Sequence, residues 1–173
     1  MFTMQKVARS AASADSAEAP VAIEPRIANP AGLLPDAWQG IQKLLVAVNK
    51  GGLPQATLDL THMRASQING CSACIEGSIN HAHKTGQQLD ERLLAVAAWR
   101  HSSQFTEAER AALELTEAMT RLADRSDPVP DEIWNRAAEH FEEPALAALV
   151  LHVALTNLFN RVNISTLQPA GDW

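Results

Sequence analysis

The chain reads Met63-Arg64-Ala65-Ser66-Gln67-Ile68-Asn69-Gly70-Cys71-Ser72-Ala73-Cys74 across its most informative junction. Asn69-Gly70 is a strong break signal between two helix-compatible segments. The stretch therefore predicts the end of one helix, a tight break, and a second helix opening at or just before Cys71. Upstream, Pro54 suits the first turn of the helix that runs through Gln67. Before it, Trp38, Ile41, Leu45 and Val48 recur at three- and four-residue spacing from Pro35, until Gly51-Gly52 stops the run.

Downstream the pattern stays helical. The cysteine helix should close near Gly86, and Asp90 can cap a fourth helix with Leu93, Leu94 and Ala97 facing inward. Thr106 with Glu109 forms a capping box for a fifth, running to about Ala123. Ser126-Asp127-Pro128-Val129-Pro130 is a loop, and Ile133, Trp134, Ala137 and Phe141 mark a short sixth helix. Pro144 opens a seventh, apolar nearly all round until Asn157, which must be covered on most sides. No segment alternates like a strand. The expectation is an all-α, single-domain bundle of about seven helices over residues 21–173, with an Ala- and Ser-rich flexible tail over residues 1–20.

Bulk properties narrow the function. A length of 173 residues suits one domain, and 46% apolar with 20% charged residues is ordinary globular usage. A net charge of −6 provides no basic stripe, so no nucleic-acid partner is expected. The longest apolar stretch, Ala145 to Phe159, is too short for a membrane span and carries His152, Thr156 and Asn157, so no membrane partner is expected either. Lys6 and Arg9 precede no apolar block, which argues against a secretory signal. The chain is therefore expected to be cytoplasmic, with Cys71 and Cys74 resting as thiols and any disulfide between them transient and catalytic.

Residues three apart on a helix share a face, so the two sulfurs can lie side by side. In a first helical turn both feel the positive dipole end and free backbone N–H groups, which favour thiolate. One thiolate can attack a peroxide to give a sulfenic acid, and the other can resolve it to a disulfide. Alternatives stand beside this reading. The pair can be two small buried hydrophobes, or part of a metal site with His81 and His83 on the same helix. A structural zinc site normally takes four ligands from two knuckles, and no second Cys-X-X-Cys exists here. A thioredoxin-type motif needs a preceding strand.

From about Pro25 onward the chain resembles the carboxymuconolactone decarboxylase-like superfamily, specifically its alkylhydroperoxidase D-like branch. The resemblance rests on Met63 to Cys74, then on Ala98-Trp99-Arg100. It continues in Phe105-Thr106-Glu107-Ala108-Glu109-Arg110-Ala111-Ala112-Leu113 and in Asn157-Leu158-Phe159-Asn160-Arg161. It implies an all-α fold, usually a homo-oligomer such as a trimer or hexamer. It also implies a thiol peroxidase or disulfide reductase acting through Cys71 and Cys74. The partners would be a peroxide substrate and a thiol reductant, either a thioredoxin-like protein or a small dithiol. No metal, haem or flavin cofactor is implied.

Active members of the family place an acid twelve positions before the first cysteine and a histidine four positions after the second. Asp59 holds the acid position, where Glu is usual, and Ser78 stands where the histidine should be. Serine is no base near neutral pH; His81, three residues on along the same helix face, could substitute in the relay or be a solvated histidine near the helix end. His83 falls about 180° from Cys74 around the helix, and Glu76 also faces away. The site expected from the resemblance is therefore Cys71, Cys74, Asp59 and His81, with Cys71 the more exposed cysteine by position. The rival is a non-enzymatic oligomeric redox-sensing or binding protein, its proton relay weakened by Ser78.

Overall fold

Every regular element of the computed structural model, which describes residues 21–86, 90–123 and 125–170, is a helix. In order these are α1 (Pro30–Leu33), α2 (Pro35–Asn49), α3 (Gln55–Asn69), α4 (Ser72–Thr85), α5 (Arg92–Ala95), a 3₁₀ segment (Val96–His101), α6 (Glu107–Thr120), α7 (Asp131–Ala138) and α8 (Glu143–Thr166). The tail expected over residues 1–20 lies outside the described residues.

Local chemistry accounts for the boundaries. Pro35 sits in the first turn of α2, where its missing N–H costs nothing. Thr106 and Glu109 bond reciprocally in the capping box that the sequence predicts for α6. α6 stops at Thr120 rather than near Ala123. The expected fourth helix is instead two short pieces, α5 and the 3₁₀ segment, within which Ala98 leaves helical geometry (φ −112°, ψ 24°). Leu94, 74% exposed, and Ala97 face outward against the orientation their spacing predicts, and Leu93, Val96 and Trp99 face inward. The seventh expected helix is α8, which continues past Asn157 to Thr166 and spans 24 residues in all. By length and composition alone it could cross a membrane.

α8 runs through the middle of the bundle against α2, α3, α4, α6 and α7, while α3 packs on α4, α6 and α8. Gly51 lies where α2 ends against Ala148 of α8; a Cβ there would collide with the Ala148 methyl. One core joins Val48, Leu58, Leu115, Leu149 and Val153 around α8. A second gathers Leu60, Met63, Val96, Trp99, Phe105 and Leu113 behind α3. Between them Glu117 of α6 accepts from Arg64 (2.6 Å), Trp99 Nε1 (2.9 Å), Arg100 (2.7 Å) and Arg121 (3.2 Å). Arg64, Trp99 and Arg100 of the sequence blocks quoted above thus converge on one buried carboxylate. Outward, α8 leaves Leu151, Leu158 and Ile164 exposed.

Candidate active site

Gly70 adopts φ 71°, the left-handed region where a side chain is strained, and so closes α3. Gly70 N donates to Gln67 O (3.3 Å) and Cys71 N to Ser66 O (3.0 Å). This is the paired 5→2 and 6→1 pattern of a Schellman motif. Cys71 is also the N-cap of α4: its sulfur accepts from Cys74 N at 3.3 Å. One residue therefore ends a helix with its N–H and starts the next with its side chain. The double duty buries Cys71 to 1% exposure, whereas Cys74, also well buried at 7%, lines a cavity. This corrects the expectation that Cys71 is the accessible member. The two are joined in a disulfide with Cα atoms 5.3 Å apart.

α8 meets Cys74 from the far side. Asn160, fully buried, donates Nδ2 to Cys74 Sγ at 3.0 Å and to Ser66 Oγ at 3.1 Å. Asn163 Nδ2 approaches the same sulfur at 3.4 Å, and its Oδ1 is buried with no protein partner. Asn69 Nδ2 holds this arrangement by donating to Asn157 Oδ1 (3.0 Å) and Asn160 Oδ1 (2.7 Å). Two amide donors aimed at one sulfur favour its anionic form once the disulfide is reduced. Asn157 and Asn160 therefore tie the last helix to α3, and Asn160 also touches the reactive pair. Arg161 returns to Asn157 on its own helix.

The cavity holds about 490 Å³ between α2, α3, α4 and α8. Its walls are largely apolar, with Trp38, Leu45, Leu58, Met63, Leu93 and Phe159 among them. Asp59 and His81 both line it, and both are exposed. Asp59 Oδ1 accepts from Gln55 Nε2 at 2.8 Å. Ser78 lines it too, with its hydroxyl donated to the Cys74 carbonyl at 3.0 Å. His83 is exposed and outside the cavity, as its angle predicts, and among the described residues no three His, Cys, Asp or Glu side chains are arranged to hold a metal.

Sequence reasoning passed over two histidines that the fold brings here. His62 and His152 both line the cavity, their ring centroids 6.4 Å apart. His152 Nε2 lies 3.0 Å from the Leu58 carbonyl, and burial with the neighbouring His62 lowers its pKa to about 4. Burial likewise pushes His62 below the usual imidazole range, opposed by the Cys74 backbone and by the Asp59 charge. The available signal was spacing: His62 stands three residues after Asp59, on the same face of α3.

Residues 33–118 match the carboxymuconolactone decarboxylase family. The uncharacterized protein YdfG of Bacillus subtilis is 31% identical over 133 residues, 77% of this chain and 88% of YdfG. The uncharacterized protein YnjA of Escherichia coli is 38% identical over 112 residues, 64% of this chain and 59% of YnjA. Among solved structures, a protein of unknown function from Agrobacterium tumefaciens, with a suggested AhpD role in antioxidant defence, superposes with TM-score 0.74 at 26% identity. That match covers 86% of this chain and 99% of the other. The debrominase Bmp8 shares the fold at TM-score 0.65 and 22% identity, over 78% of this chain and 71% of Bmp8.

Proposed function

The chain belongs to the carboxymuconolactone decarboxylase family, and on that premise we propose that it is a thiol-dependent peroxide reductase cycling Cys71 and Cys74 between dithiol and disulfide. The observation that carries the reading is the setting of Cys74. Its sulfur is within bonding reach of Cys71, accepts from two α8 amides, and borders a cavity large enough for an organic substrate.

In this reading Cys74 attacks and Cys71 resolves. The attacking thiolate needs substrate access, which Cys74 has on the cavity wall and Cys71 lacks. The apolar walls suit the carbon portion of an organic hydroperoxide. Resolution by the adjacent Cys71 expels water and prevents overoxidation.

The test is steady-state consumption of cumene hydroperoxide by the full chain, with dithiothreitol as electron donor. Sustained turnover that disappears in Cys74→Ser is the expected result. One slow oxidation per chain with no turnover would instead favour a redox-sensing or binding protein, the reading to which Ser78 lends support.

A further inference from the structure

We propose that His62, not His81, is the proton carrier for the cysteine pair, an imidazole supplied from α3 to a site whose own helix α4 carries Ser78 one turn after Cys74. The proposal rests on the peroxide-reductase reading for the step it serves. Its geometry is independent of that reading. His62 lines the cavity together with Cys74, and its ring neighbours the Cys74 backbone. Ser78 has committed its hydroxyl hydrogen to the Cys74 carbonyl, and His81 is exposed at the cavity's edge.

The surroundings of His62 suit a group that gains and loses a proton. Nδ1 lies 3.5 Å from Thr156 Oγ1, whose own hydrogen goes to the His152 carbonyl, leaving Oγ1 as an acceptor. The Cys74 backbone and the Asp59 carboxylate also favour the imidazolium. Burial opposes it, and His152, which faces it from α8, is itself held neutral by burial, so the ring rests neutral at pH 7, as a base must. The remaining titratable groups around this cavity are His81 and Lys84 of α4 and Asp90; α2 contributes only uncharged side chains.

The step balances as follows. Neutral His62 takes the Cys74 thiol proton, directly or through one water. The thiolate attacks the terminal oxygen of ROOH, forming S–O as O–O breaks. The departing alkoxide recovers the proton from His62 and leaves as ROH. Cys71 then attacks the sulfenic sulfur, forming S–S, while the hydroxyl leaves with the Cys71 proton as water. An external dithiol returns two electrons and two protons.

Two measurements on the full-length protein test this: peroxide consumption against pH, and alkylation of the reduced protein by iodoacetamide against pH. General-base help is worth about 10²–10⁴-fold, so His62→Gln should cut the peroxide rate by roughly that range. It should also remove an acid limb whose midpoint lies below pH 6.5, and move the alkylation midpoint upward. Adding Ser78→His to His62→Gln should restore the rate with the limb shifted toward about pH 6.5, a rescue that a merely structural histidine would not show. His62→Asn repeats the test should the glutamine variant fail to fold. Unchanged pH profiles in both measurements for the folded His62 variant, or their collapse in His81→Ala alone, would overturn the assignment. A wild type that consumes no peroxide, yet whose alkylation profile shifts with His62→Gln, would refute the reductase reading and leave the proton carrier standing.

Discussion

At the residue scale the sharpest consequence concerns Asn160. Its amide is the nearest donor to the Cys74 sulfur, and Asn163 stands farther off. Hydrogen bonds to charged groups are worth about 1.5–3 kcal/mol, which corresponds to roughly one to two pH units of thiol acidity. Asn160→Ala should therefore raise the Cys74 thiol pKa by about that amount, and Asn163→Ala by less. Thiolate absorbance near 240 nm, followed through a pH titration of the reduced protein, measures both; equal pKa values in wild type and Asn160→Ala would remove the amide from the mechanism. The cysteine pair was legible from spacing alone. Which cysteine borders the cavity was not, because the double use of Cys71 as helix end and helix cap depends on Ser66 O and Gly70 geometry. His62 stayed hidden for a related reason: spacing puts it on Asp59's face, but only tertiary packing turns that face toward α4.

At the element scale, the α3–α4 junction depends on Gly70. A non-glycine residue in left-handed geometry costs about 1–2 kcal/mol, so Gly70→Ala should lower stability by that amount in urea denaturation. A side chain at this position meets no neighbour, so the cost is conformational and should not include a steric clash. Urea midpoints equal to wild type would show that the junction tolerates the strain elsewhere. Helices with explicit punctuation were readable in advance, as the Thr106–Glu109 box shows. α8 extends beyond its apolar stretch because Asn157, Asn160 and Asn163 are accommodated inside the bundle. All three are buried: Asn157 and Asn160 bond Asn69, while Asn160 and Asn163 reach Cys74. Leu94 and Ala97 were misread because the buried face runs through Leu93, Val96 and Trp99, the three-residue period of the 3₁₀ segment that follows α5.

At the scale of the whole molecule, two buried features set the acid limit of stability. His152 has a folded pKa of about 4 against 6.5 for an unperturbed imidazole. The unfolded chain therefore binds its proton first, and stability falls as pH drops from about 6.5 toward 4. Glu117, surrounded by Arg64, Trp99 and Arg100, is lowered from 4.5 to about 2. Its contribution is complete above about pH 4.5 and fades as pH falls toward 2. Thermal melting across this range should show both declines; His152→Gln should shrink the upper one, leaving the share of His62, and Glu117→Gln should flatten the lower. A melting temperature constant from pH 7 to 4 would contradict the buried neutral state of His152.

In the proposed reductase cycle, the burial of Cys71 also dictates how electrons would re-enter the oxidised protein. An incoming thiolate can approach only the Cys74 sulfur, so the transient mixed disulfide forms there and Cys71 is expelled as the leaving group. Cys71 then remains within reach to reverse the exchange. A monothiol must wait for a second molecule while that reversal competes, whereas a dithiol completes release within its own complex. On that proposal the architecture would act as a kinetic filter on electron donors, selecting for two tethered thiols over one.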